Sequence, residues 1–134
     1  MKPVKPRKKI IYVDDVSYSL MALKDRIKEE YEVYPAQNVQ KMFTLLKNVQ
    51  PDLIILDVNM PGTNGHDALK MLKSDPEYSS IPVIFLTANS EKEEIVKEVK
   101  LGASAHVNKP FAVKTLTETI DRVIAEAGHL NAFR

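Results

Sequence analysis

The sequence predicts an α/β protein with a doubly wound, five-stranded parallel sheet and five helices. Two observations carry this prediction. Short, nearly all-apolar runs recur along the chain, and each is followed by a longer stretch with helical spacing. Runs this apolar suit strands covered on both faces, the habit of parallel sheets, and the alternation implies right-handed crossovers.

In chain order the strands read as "KIIYVD" (9–14), "YEVYPA" (31–36), "DLIILD" (52–57), "PVIFLT" (82–87) and "SAHVNK" (104–109). Helices fill the intervals. In the second, Val39, Met42, Phe43 and Leu46 fall on one face, and in the last Leu116, Ile120, Val123 and Ile124 do the same. Ser90 and Glu93 have the spacing of a capping box for the fourth helix. No repeat, low-complexity tract or internal linker interrupts the pattern.

At 134 residues the chain is expected to be one domain with a core of ordinary size. It has no cysteine, which excludes disulfides and thiolate metal sites and makes a reducing cytoplasm the expected location. No apolar run approaches the roughly 20 residues that span a bilayer, so membrane insertion is not expected. Five of the 19 basic residues lie in the first nine positions, leaving 14 against 18 acids in the body. Residues 1–8 therefore read as a basic, flexible leader, 9–127 as the folded domain and 128–134 as a tail. The acidic body carries no basic stripe, which argues against nucleic-acid binding.

In a sheet of this kind, ligands bind beyond the carboxyl ends of the strands, where the strand order switches. The residues expected to meet there are Asp14 and Asp15, Asp57, Thr87 and Lys109. Each alone has an ordinary explanation: a turn acid, a strand threonine, a solvated lysine. Together they are a chemical set. Two carboxylates about 4 Å apart repel by roughly 4 kcal/mol at an effective dielectric near 20. Three carboxylates and one lysine therefore call for a cation, and an all-oxygen, partly open site suits Mg²⁺.

Asp57 then stands as a candidate nucleophile, because carboxylates form acyl phosphates. Lys109 would offset charge on phosphoryl oxygens, and the Thr87 hydroxyl would donate to one of them. Met60-Pro61-Gly62 turns the chain away and leaves the Asp57 face open.

The stretches "VDD", "DLIILDVNMPGTNG", "PVIFLTA" and "ASAHVNKPF" resemble the receiver domains of two-component response regulators over residues 9–127, and the chain is similar to stand-alone receivers of the chemotaxis type. The resemblance implies a flavodoxin-like fold with strand order 2-1-3-4-5. It implies Mg²⁺-dependent phosphorylation of Asp57 by a sensor histidine kinase or phosphotransfer protein, followed by altered binding of a downstream protein. It implies a signalling switch that catalyses its own phosphorylation and dephosphorylation. It maps metal ligation to Asp14, Asp15, Asp57 and the Asn59 carbonyl, catalysis to Asp57, Thr87 and Lys109, and a cis bond to Lys109–Pro110. Asn59 and Asn89 would flank an attacking water.

One position departs from the family pattern. Where Tyr or Phe commonly moves inward with the switch threonine, this chain has His106. A switching role with Thr87 and an ordinary strand histidine both stay open. His66 and His129 have no paired ligand spacing and read as surface residues.

Three rival readings fit less well. A haloacid-dehalogenase-like phosphatase needs an acid two residues past the nucleophile, and Asn59 stands there. A flavodoxin-type carrier needs a phosphate cradle after strand one, where "DDVSYS" would repel a flavin phosphate. A phosphate-independent interaction module has no need of the complete Asp, Thr and Lys set.

Overall fold

A computed structural model describes residues 6–60, 62, 64–88 and 91–132. Strands and helices alternate without exception: β1 Lys8–Val13, α1 Ser17–Ile27, β2 Tyr31–Ala36, α2 Val39–Leu46, β3 Leu53–Asp57, α3 Gly65–Lys73, β4 Val83–Thr87, α4 Lys92–Leu101, β5 Ala105–Asn108 and α5 Val113–Ala132. All four strand pairs are parallel and the order is β2-β1-β3-β4-β5, the flavodoxin-like arrangement. Pro35, which cannot donate to a ladder, sits in the edge strand β2.

The apolar runs are continuous because successive side chains enter different cores. Ile10, Tyr12, Leu53, Ile55, Ile84 and Leu86 join Leu20, Leu23 and Ile27 of α1 and Leu116, Ile120 and Val123 of α5. Ile11, Val13, Ile54, Leu56, Val83 and Phe85 face the other way, onto Val39, Met42 and Leu46 of α2 and Ala68, Leu69 and Leu72 of α3. Phe43 and Ile124 pack on the margins of these clusters.

Local signals set the ends. The Asn38 and Asn64 side chains accept from Lys41 N and Asp67 N at the starts of α2 and α3. Helix α4 starts after Glu91, which makes no side-chain cap bond, and Ser90 lies outside the described residues. It stops at Gly102, whose φ of 101° favours glycine. Helix α5 continues through 128–132, so that part of the expected tail is helical.

Candidate functional site

Register brings the acids together. Val13 pairs with Leu56, so Asp14 and Asp57 occupy the next rung of adjacent parallel strands. Strand alternation puts both on the face of Tyr12 and Ile55. The ladder runs one bond past β1, with Asp14 N donating to Ala36 O at 3.1 Å. The Lys109 N–H likewise donates to Thr87 O at 2.8 Å just beyond β5. The predicted residues thus lie within the strand ends or at most two residues past them, Asp15 being the furthest out.

Asp14, Asp57 and Thr87 are buried, and Asp15 is exposed. Lys109 Nζ is 3.2 Å from Asp57 Oδ2 and 3.6 Å from Asp14 Oδ2. Asp14 also accepts from the Tyr12 hydroxyl at 2.6 Å and from Val16 N at 3.0 Å. Asn59 N donates to Asp57 Oδ1 at 3.1 Å, while the Asn59 residue is solvent-exposed. Burial is the largest influence on Asp57 and pushes its carboxyl above the usual range; the Asn59 N–H and the Lys109 ammonium pull in the opposite direction. Burial, aided by the Asp14 carboxylate, likewise pushes the Tyr12 phenol up, so it stays a donor.

One carboxylate oxygen each from Asp14, Asp15 and Asp57 lies within 4.8 Å of the others. Three acids against one lysine leave excess negative charge, and the donors are all oxygen. That set fits a hard divalent cation such as Mg²⁺.

Two contributors were not anticipated. The first is Tyr12, which stands two residues before Asp14 on one strand face and donates to it. The second is Gly65, where an added Cβ would meet the Asp57 carbonyl oxygen at 2.6 Å. Helix α3 therefore packs directly on the backbone that carries Asp57. Gly62 takes a φ of 76° in the turn after β3, and Pro61 lies outside the described residues, as does Asn89. The Lys109–Pro110 bond is cis.

The histidines need one correction. His66, expected at the surface, is 6% exposed. It stands at the start of α3, edge-on to Phe85 with ring centroids 5.2 Å apart, because that end of α3 lies over the sheet. Its Nε2 is 3.4 Å from Glu98 Oε1 on α4, and His106 Nδ1 is 3.0 Å from Glu98 Oε2. His106 is thus away from the acidic pocket, paired in register with Phe85. The His129 side chain lies outside the described residues.

Fold and pocket together define a doubly wound α/β protein with a carboxylate–lysine site at the carboxyl edge of its sheet. The family model of the response regulator receiver domain matches residues 10–121, and the chain belongs to that family.

Among its relatives, the chemotaxis protein CheY-3 of Vibrio cholerae serotype O1 is 31% identical over 117 residues, covering 86% of this chain and 90% of the relative. Protein PilH of Pseudomonas aeruginosa is 34% identical over 120 residues, 87% of this chain and 98% of the relative. The solved chemotaxis response regulator CheY4 of Vibrio cholerae superposes with a TM-score of 0.81 at 28% identity, covering 88% of this chain and 99% of that one. A signal receiver domain of a histidine kinase from Syntrophus aciditrophicus gives 0.80 at 30% identity, with 89% and 91% covered. The chain is a receiver domain of the two-component signalling type, a family in which phosphorylation of an aspartate and binding of Mg²⁺ in an acidic pocket are general.

Proposed function

We propose that Asp57 is the phosphoacceptor and that Asp14, Asp15, Asp57 and the Asn59 carbonyl hold Mg²⁺. The observation that carries this reading is the Lys109 ammonium set between the Asp57 and Asp14 carboxylates at the strand ends. The donor is a phosphohistidine on a sensor histidine kinase or phosphotransfer protein. An Asp57 oxygen forms the new O–P bond as the P–N bond to imidazole breaks, and the departing imidazole takes up a proton. Lys109 offsets charge on the phosphoryl oxygens, and the Thr87 hydroxyl donates to one of them. Val16 N and Tyr12 hold Asp14, while Asn59 N orients Asp57. When bound, Mg²⁺ supplies charge neutralisation for the transferring group.

Thr87 and Phe85 share one face of β4, and His106 lies beside Phe85 on β5. Movement of Thr87 toward the phosphoryl group therefore reads out at His106 and the α4–β5–α5 surface, where a downstream protein would bind. Among the described residues no helix is long and apolar enough to cross a membrane. A cytoplasmic location is typical of the family, and we assign it here. Residues 9–127 are assigned to the receiver body.

The test is titration of the Mg²⁺-loaded protein with beryllofluoride, a phosphoryl mimic, followed by amide NMR. The reading expects saturable shifts at Asp57, Thr87, His106 and Lys109. A silent spectrum would favour the phosphate-independent module.

A further inference from the structure

Helix α4 is oriented against its own chemistry. Val96 is 43% and Val99 65% exposed, whereas Glu98 is 1% exposed. A carboxylate removed from water needs a cation or a full set of donors. Among the described residues no lysine or arginine pairs with Glu98, and its neighbours are two imidazoles, His66 Nε2 at 3.4 Å and His106 Nδ1 at 3.0 Å.

His106 meets Glu98 through one ring nitrogen. Its Nδ1 must donate, because a carboxylate only accepts. Its Nε2 is buried without a hydrogen-bond partner among the described residues.

The His66 contact differs. At 3.4 Å it is longer than the roughly 2.7–2.9 Å of a charge-assisted hydrogen bond. It matches the edge of about 3.3–3.4 Å between two ligands of a tetrahedral ion with bonds near 2.0–2.1 Å. Glu94, one turn before Glu98 and only partly buried, brings a third donor: one atom each of His66, Glu94 and Glu98 lies within 4.8 Å of the others. Phe85 fixes the His66 ring, and His106 fixes the outer oxygen of Glu98, as second ligand layers do in metal centres.

We propose that His66, Glu94 and Glu98 form a second divalent-metal site, separate from the acidic pocket, that ties α3 to α4. One imidazole and two carboxylates suit a borderline ion such as Zn²⁺ rather than Mg²⁺. Three protein ligands and the partly exposed Glu94 leave a fourth position open to solvent.

The experiment is calorimetric titration of the full chain with Zn²⁺ in saturating Mg²⁺, with nitrogen-15 NMR of the imidazoles in parallel. The site predicts one equivalent of Zn²⁺, a shift of His66 Nε2, and an affinity lowered about tenfold or more by His66→Gln and by Glu94→Gln. Glu94 is at the mouth of the site, so Glu94→Gln keeps the fold while removing a ligand. His129→Gln and Asp14→Asn leave this Zn²⁺ affinity unchanged, which separates it from the tail histidine and the acidic pocket. Absence of Zn²⁺ binding, or binding indifferent to both His66→Gln and Glu94→Gln, overturns the proposal.

Discussion

Lys109 Nζ stands 3.2 Å from Asp57 Oδ2 and supplies the positive charge nearest to the proposed acceptor. Its placement depends on the ladder bond from Lys109 N to Thr87 O, which fixes the residue just beyond β5. Lys109→Met would keep the stem and remove the charge. The expected outcome is a phosphorylation rate lowered by about a hundredfold, with Mg²⁺ affinity kept or raised because repulsion of the cation is gone. Rate measurement with a small phosphoryl donor, beside a Mg²⁺ titration, checks both halves.

Burial raises the Asp57 carboxyl above its ordinary range, and the sign of the linkage follows. A raised folded-state value favours the protonated group in the folded protein. Its stabilising contribution is present at low pH and is lost as pH rises through the folded value. Asp57→Asn should therefore raise the Tm of the metal-free protein at neutral pH, and the difference should shrink on acidification through the carboxylate range. Added Mg²⁺ should raise the wild-type Tm more than that of the variant. Thermal melts of both proteins across pH, with and without Mg²⁺, measure this.

Tyr12 gives Asp14 a buried 2.6 Å hydrogen bond. Tyr12→Phe keeps the ring in the core but leaves that carboxylate oxygen with one donor fewer. A loss of about 1–3 kcal/mol is expected in the metal-free state, measured by urea unfolding. Bound Mg²⁺ should recover part of it.

Gly65 is required by contact rather than by conformation. With 2.6 Å between an added Cβ and the Asp57 carbonyl oxygen, Gly65→Ala must push α3 from β3. The expected cost is about 1–3 kcal/mol, with slower phosphorylation because the acceptor itself shifts. Urea unfolding and donor kinetics on one preparation would show the two effects together.

The central strands β3 and β4 were legible because both their faces are covered, so Leu53, Ile54, Ile55 and Leu56 had to be apolar without a break. The parallel order then placed Asp14, Asp57, Thr87 and Lys109 at one edge. Spacing could not reveal Tyr12 as a donor to Asp14, because a core tyrosine and an anchoring one look alike in sequence. It also could not reveal Gly65, whose constraint comes from a neighbouring backbone. Helix α4 shows the same limit. Its sequence "KEEIVKEVKL" mixes charges of both signs along its length, yet among the described residues Glu98 alone turns fully inward, to His66 and His106. Pairwise contact between α3, α4 and β5 decides that rotation, and no local pattern encodes it.

The central claim is that Asp57 accepts phosphate in a Mg²⁺-dependent reaction. Intact mass after incubation with acetyl phosphate, with and without Mg²⁺, on wild type and Asp57→Asn, tests it most directly. The account predicts a single phosphoryl adduct in the wild type, dependent on Mg²⁺ and absent from the variant. An adduct of equal yield in Asp57→Asn, or one formed equally well without Mg²⁺, would contradict it.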